Sequence, residues 1–331
     1  MRAVVVGAGS WGSAMAALLA DRGHEVAIAC RRPEQAEAIA ATGRNPDYLR
    51  EADLSGVLAV PLSDAPVPAA DLVVLAVPTR ALAPMARYIA PRLDAAAIAL
   101  NLAKGLEPGT GRRLSAVLRT TLLRPQQERI AVLTGPNHAE EIAAGRPAAA
   151  VVAATGPGVA EAVQGWLTGP MFRVYVNEDL AGVELGGAAK NVVALAAGMV
   201  DGLGLGDNAK AAVITRGLAE IARLGAAIGA RPATLAGLAG LGDLIATCTS
   251  ANSRNRLAGE LLAQGLRPPE VEPRIGMVAE GLVAAYAVRD LARLRDVDVP
   301  ITEAVVRVLD EETTPGELVE DLMSRDPTAE G

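Results

Sequence analysis

The sequence predicts a doubly wound α/β domain followed by an all-α domain, and three observations predict it. Up to about residue 178, short β-rich runs alternate with Ala-rich helical stretches, the mark of βαβ units and a parallel sheet. A glycine-rich turn stands between the first such run and the first helical stretch. From Glu178 onward no strand pattern recurs, and long helical segments are punctuated by Asp201-Gly202, Arg231-Pro232 and Pro268-Pro269. A chain of 331 residues suits about two domains. The expected division is 1–178 and 179–323, with 324–331 a polar, frayed tail.

Taken in order, the expected strands are residues 3–6, 25–29, 57–60, 72–77, 96–101, 130–134, 148–153 and 172–176, with helices between most of them. The strongest helix of the second half is 182–201, and a further helical run covers 254–262. Half of the residues are apolar but only 2% are aromatic, which suits close-packed Ala-rich helices better than a sandwich.

Charge and composition narrow the function classes. A net charge of -7 supplies no global field for nucleic acid or an anionic membrane, so an anionic ligand needs a local pocket. Cys30 and Cys248 stand far apart, and His24 and His138 are the only histidines, which argues against a disulfide framework and against a metal site. Neither a secretory leader nor a run of about 18 apolar residues is visible, and a cytoplasmic location is expected. Lys104, Lys190 and Lys210 are the only lysines among 31 basic residues. A lysine kept in an arginine-using chain marks either chance or a place where only an amine can give up a proton.

Gly7-Ala8-Gly9-Ser10-Trp11-Gly12 follows three valines and opens a helix, the context a dinucleotide-binding turn requires. Gly7 permits the tight turn, Gly9 lets a pyrophosphate approach the backbone, and Gly12 lets helix and strand pack closely. Where an NAD-specific enzyme places an acidic residue at the end of the second strand, this chain has Cys30-Arg31-Arg32. Two guanidiniums there suit a 2′-phosphate, so NADP(H) is the expected preference with NAD(H) tolerated. The alternative is a solvated pair before the helix that Pro33 opens.

Lys190 has Gly186, Gly187, Val193 and Ala194 three and four residues away, a small apolar face. Its amine projects into a cavity, or else snorkels at a domain interface. Burial and nearby cations favour the neutral form of an amine, which equips it to protonate a developing alkoxide. Ser253 precedes a helix whose start offers N–H groups, a hydroxyl and the forked cation of Arg254, either a phosphate seat or an ordinary cap. Asp243 follows a Gly-rich bend, as a helix cap or as the holder of Lys190 or a substrate hydroxyl. Lys104 lies just past the fifth strand, at the edge where open sheets bind ligands. His138 fits a helix start better than an acid role, because no acidic partner is spaced to pair with it. For Lys210 only a structural or electrostatic role is assigned.

The Gly7–Gly12 turn, Ala103-Lys104-Gly105-Leu106-Glu107, Thr134-Gly135-Pro136-Asn137-His138-Ala139-Glu140-Glu141 and Gly186-Gly187-Ala188-Ala189-Lys190-Asn191-Val192 resemble the blocks of bacterial NAD(P)-dependent glycerol-3-phosphate dehydrogenases. Further blocks at 201–217, Gly240-Leu241-Gly242-Asp243-Leu244, Ser253-Arg254-Asn255 and Pro300-Ile301-Thr302-Glu303 follow in the family order, so the resemblance spans about residues 2–323. It implies a Rossmann-type first domain and reversible reduction of dihydroxyacetone phosphate to sn-glycerol 3-phosphate for phospholipid synthesis. It implies Lys190 as the catalytic residue, with Lys104, Gly135, Asn137, Asn191, Asp243, Ser253, Arg254 and Asn255 around the substrate. Gly7, Gly9, Ser10, Trp11, Gly12, Arg31, Arg32, Tyr48, Lys104, Ala139, Arg254, Val278 and Glu280 are implied around the cofactor. Many relatives carry Ser or Thr where this chain has Asn137. A homodimer is compatible with the large uncharged helical faces. The competing readings are a β-hydroxyacid or ketopantoate reductase, which acts on carboxylates, and a non-catalytic NADP sensor.

Overall fold

In the computed structural model, residues 1–323 are described, and the tail expected at 324–331 lies outside them. The strands are β1 (Arg2–Val6), β2 (Glu25–Cys30), β3 (Val57–Pro61), β4 (Leu72–Leu75), β5 (Ile98–Asn101), β6 (Ile130–Thr134), β7 (Ala148–Ala154) and β8 (Phe172–Val176). Helices α1 (Ser10–Asp21), α2 (Pro33–Thr42), α3 (Thr79–Ile89), α4 (Leu114–Thr121), α5 (Ala139–Ala143) and α6 (Val159–Leu167) lie between or beside them. Then follow α7 (Leu180–Gly202), α8 (Gly206–Ala227), α9 (Pro232–Leu235), α10 (Asp243–Thr249), α11 (Arg254–Ala263), α12 (Pro268–Ile275), α13 (Gly281–Leu294), α14 (Pro300–Leu309) and α15 (Pro315–Met323). All eight expected strands form, and from Leu180 onward the described residues contain none.

The sheet order is β3-β2-β1-β4-β5-β6-β7-β8, so the chain reverses its winding direction between β1 and β4, the crevice where open α/β sheets bind ligands. One expectation is corrected. The sheet is not parallel throughout, because β7 pairs antiparallel with β6, Thr134 standing opposite Val151. A parallel return needs a crossover long enough to carry the chain back along the sheet. The connection from Gly135 to Pro147 holds only the five-residue α5, so β7 starts at the end of the sheet where β6 finished. Strand β8 then pairs parallel with β7, through the α6 crossover.

The inner strands β1, β2 and β4 to β7 are buried on both faces and read as near-continuous Val, Ile, Leu and Ala runs, as a sheet covered by helices on each side requires, whereas the edge strands β3 and β8 expose alternate residues. The second core forms around α7, whose side chains from Gly182 to Val200 are all buried. By length and apolarity α7 is the single continuous helix among the described residues that could cross a membrane, yet its whole apolar window lies inside the protein. Its glycines set how closely its neighbours come. A Cβ at Gly198 would stand 1.9 Å from the Arg256 carbonyl oxygen of α11, and one at Gly186 would stand 2.4 Å from that of Ala239. Small residues on the Lys190 face are thus partly a packing requirement of backbone against backbone.

Candidate active site

Side chains from α7, from β6 and from the turn after β5 converge on one buried carboxylate. Asp243 opens α10 and is 2% exposed. Its Oδ1 accepts a short hydrogen bond from Lys190 Nζ on α7, and its Oδ2 accepts from Lys104 Nζ at 3.0 Å and from Thr134 Oγ1 at 3.2 Å. Lys190 Nζ also donates to Thr247 Oγ1 at 2.7 Å, and that hydroxyl donates back to the Asp243 carbonyl one helical turn earlier. Lys104 Nζ completes its set on the Gly135 carbonyl at 2.9 Å and on Asn137 Oδ1 at 2.7 Å. Asp243 therefore holds Lys190, one of the roles its sequence context left open, and it holds Lys104 as well.

The electrostatics follow from two ammoniums sharing one carboxylate. Burial works against the charge of Asp243, but Lys104 and Lys190 outweigh it and hold the carboxyl below its ordinary range. Burial pushes the Lys104 amine down to about 7, against the pull of Asp243 and with Lys190 adding to the fall. Lys104 thus brings an amine poised near neutrality to the carboxylate it shares with Lys190. Free enzyme therefore carries a charged Lys104 below about pH 7 and a neutral one above it. For an anionic substrate, kcat/KM is expected to fall as pH rises through 7, and that limb is expected to be missing in Lys104→Ala. A profile of kcat/KM between pH 6 and 9 on both proteins checks it.

A second chain of amides ties the site to α11 and α13. Asn191 Nδ2 donates to the Lys104 carbonyl at 2.9 Å, Asn255 Nδ2 donates to Asn191 Oδ1 at 2.8 Å, and the Gly281 N–H donates to Asn255 Oδ1 at 2.8 Å. The side chains of Asn191 and Asn255 are thus engaged with protein, and what α11 offers a ligand is its N-terminal backbone and Arg254. Ser253 caps that helix, its Oγ accepting from the Arg256 N–H at 3.2 Å. Arg254 is exposed, with Nη1 on the Val278 carbonyl at 3.3 Å. Glu280 accepts from the Thr79 N–H at the start of α3 at 3.0 Å, joining the helical half to the edge beyond β4. Burial raises the Glu280 carboxyl.

The glycine turn lies across the sheet from this cluster. Gly7 has φ +110°, and a Cβ there would stand 2.4 Å from the Ala76 carbonyl oxygen. At Gly12 a Cβ would stand 1.9 Å from the Gly7 carbonyl oxygen, whereas at Gly9 it would meet nothing within 4 Å. Gly9 is the N-cap of α1 and supplies no side-chain cap, so no side chain caps the N–H groups at the helix start. Trp11 Nε1 is buried with no partner. Two glycines fixed by protein and one facing outward, below an uncapped helix start, fit a bound pyrophosphate. Arg31 and Arg32 follow β2, and Ala139 begins α5. Three strand steps separate β2 from β5, a span of about 14 Å, and no hydrogen bond or ion pair among the described residues joins the Arg31, Arg32 and Tyr48 group to the Lys190 cluster.

Family models for the N-terminal and C-terminal parts of NAD-dependent glycerol-3-phosphate dehydrogenase match residues 2–160 and 179–320. The chain belongs to the NAD-dependent glycerol-3-phosphate dehydrogenase family. It is 50% identical to glycerol-3-phosphate dehydrogenase [NAD(P)+] of Moorella thermoacetica over 98% of this chain and 96% of that one. It is likewise 50% identical to the enzyme of that name from Nocardia farcinica, over 98% of each chain. The crystal structure of glycerol-3-phosphate dehydrogenase from Coxiella burnetii superposes with a TM-score of 0.92 at 37% identity, covering 98% of this chain and 99% of that one.

Within this dehydrogenase fold, several positions had not been singled out by sequence. Thr247 lies four residues after Asp243 on one helix, a spacing that was open to reading. Thr134 ends β6 and opens one of the blocks that resemble the family, but no role was read from it, because a strand-ending threonine is common. Asn45, fully buried, donates to the Ala8 carbonyl and to Ser13 Oγ beneath the glycine turn; its stretch reads as a plain turn. His138 is the N-cap of α5 with its ring on the Ala246 carbonyl at 3.2 Å, the helix-start position expected of it. Lys210 pairs with Asp201 at 2.7 Å, which also holds Arg256 at 2.7 Å, a junction of α7, α8 and α11. A Gly9→Val substitution in this dehydrogenase is expected to leave the thermal midpoint unchanged and to weaken dinucleotide binding more than about tenfold by blocking the approach. Gly12→Val is expected to impair folding, and thermal melts beside cofactor titration separate the two.

Proposed function

We propose that the chain catalyses reversible hydride transfer between NAD(P)(H) and dihydroxyacetone phosphate, giving sn-glycerol 3-phosphate, with Lys190 as the general acid and base. The observation that carries the reading is the buried Asp243 carboxylate with Lys190 and Lys104 on its two oxygens, beyond the carboxyl ends of the strands. The dinucleotide supplies the hydride when bound. Reduction leaves negative charge on the former carbonyl oxygen, and a donor positioned there is worth about 10²- to 10⁴-fold in rate. Lys190 delivers that proton. Asp243 and Thr247 fix the direction of its Nζ, and Asp243 stabilises the ammonium before transfer. Lys104 adds a second cation at the same centre, and Asn137 and Gly135 hold it there.

Arg254 and the N–H groups at the start of α11 seat the substrate phosphate, since an exposed guanidinium beside a helix N-terminus is a ready anion site. Gly7, Gly9, Ser10, Trp11 and Gly12 hold the pyrophosphate, and Arg31, Arg32 and Tyr48 surround the adenosine end, with NADP(H) preferred and NAD(H) accepted. Ala139, Val278 and Glu280 border the cofactor at the other end. The division of labour is a cofactor domain over 1–178 and a substrate domain over 179–323. We assign the enzyme to the cytoplasm as a homodimer that supplies phospholipid synthesis; two buried, unpaired cysteines suit a reducing compartment.

The test is spectrophotometric: oxidation of NADPH and of NADH with dihydroxyacetone phosphate, and with a 2-keto acid in its place. Turnover is expected with the phosphate substrate and faster with NADPH. Turnover on the keto acid alone would establish a carboxylate reductase instead, and cofactor binding with no turnover on any small phosphate a sensor.

A further inference from the structure

Arg32, one of the two guanidiniums that follow β2, does not stand free. It is the N-cap of α2 and pairs with the carboxylate of Asp47, both side chains being about half exposed. Arg31 is exposed and has no hydrogen bond or ion pair among the described residues. Asp47 is held in place by the buried Asn45, whose Oδ1 accepts from the Asp47 N–H at 3.2 Å, from the Tyr48 N–H at 3.3 Å and from Gln35 Nε2 at 3.1 Å. Gln35 Nε2 and Asn45 Nδ2 both donate to the Ala8 carbonyl inside the glycine turn, at 3.0 and 2.9 Å. Gln35 is on α2, the helix that Arg32 caps. Both partners of the ion pair therefore hang from one buried amide cluster, and that cluster is bolted to the pyrophosphate turn.

We propose that Asp47 sets the balance between NADP and NAD as the internal counter-ion of Arg32. The proposal rests on the reading of Arg31 and Arg32 as the seat of a 2′-phosphate. A phosphomonoester carries about -1.5 to -2 charge near neutrality. To engage Arg32 it must displace the Asp47 carboxylate and then lie beside that like charge, which costs affinity. A cofactor with a 2′-hydroxyl has no such competitor. Asp47 thus weakens NADP binding and leaves NAD binding alone, so a site with two arginines still admits both cofactors. Because the pair is exposed, its effect corresponds to about a two- to fivefold change in affinity, and it shrinks as added salt screens the charges.

The experiment measures dissociation constants for NADPH and NADH by titration calorimetry on wild type, Asp47→Asn, Arg32→Ala and the double variant, with thermal midpoints as a check on folding. Asp47→Asn is expected to tighten NADPH about two- to fivefold at low salt, with NADH unchanged and the midpoint unmoved. In the Arg32→Ala background the same change is expected to tighten NADPH less, since only the like-charge repulsion is relieved, and the difference is the coupling a double-mutant cycle measures. Equal tightening of both cofactors, or a gain undiminished without Arg32, overturns the role of Asp47. If Arg32→Ala weakens NADPH but Asp47→Asn does not tighten it, the phosphate seat stands and the counter-ion role falls. If Arg32→Ala and Arg31→Ala both bind NADPH as wild type does, the seat itself is wrong and the proposal falls with it.

Discussion

Lys190→Ala is expected to lower kcat for dihydroxyacetone phosphate reduction by at least about 10²- to 10⁴-fold, the usual worth of a positioned acid. KM is expected to change little if, as proposed, the phosphate is seated on α11 and the amine acts at the carbonyl. Folding should survive, since Asp243 keeps Lys104 and Thr134 as partners when Lys190 is removed. The informative companion is Lys190→Arg. It restores a cation of similar reach, but a guanidinium does not give up a proton near neutrality. If charge alone mattered, arginine would rescue the rate; if proton delivery matters, both variants stay slow. Steady-state kinetics with saturating cofactor decide it, and an alanine variant that retained near-normal turnover while His138→Ala abolished it would move the acid to His138.

Asp243→Ala is expected to be the most damaging single change in the site, because it removes the shared counter-ion of two buried ammoniums. Breaking a buried ion pair by deleting one partner costs about 3–5 kcal/mol, and here Lys104, its amine already down to about 7 and no longer held up by Asp243, gives up its proton beside Lys190. A lowered melting midpoint should therefore accompany the loss of activity. Asp243→Asn separates the two effects. The amide keeps volume and one acceptor for Lys190 or Lys104 but no charge, so the fold should be less affected while kcat falls about 10²-fold or more for want of an oriented ammonium. Denaturant unfolding and steady-state rates on the pair of variants measure this. An asparagine variant with wild-type kcat would show that the carboxylate is only a strut.

Much of this was legible in the linear text, and for identifiable reasons. Strands β1 to β8 are short β-rich runs bounded by turn residues, and local composition is enough to reveal them. The glycine turn announces itself because two of its glycines answer a local steric demand: Gly7 and Gly12 leave no room for a Cβ against Ala76 and the turn itself, whereas Gly9 has open space around it. Lys190 stood out because charge on a face of Gly, Val and Ala is anomalous for a solvated helix. The direction of β7 was not legible, since periodicity reports which residues are buried but not which way a strand runs beside its neighbour.

By itself the sequence determined the class of fold, the place of the glycine-rich turn and the family, and it singled out Lys190, to which we assign the proton. What only the tertiary structure decided is how distant groups share charge. Lys104 and Asp243 are 139 residues apart and Lys190 and Asp243 are 53 apart, and no local pattern encodes that they meet on one carboxylate. The same holds for Asp47 on Arg32 and for the engagement of Asn255 with Asn191 rather than with an open site. The physical reason is that propensity and periodicity act over a few residues, whereas the protonation of an amine and the freedom of a guanidinium are set by whatever the fold brings within about 4 Å of them.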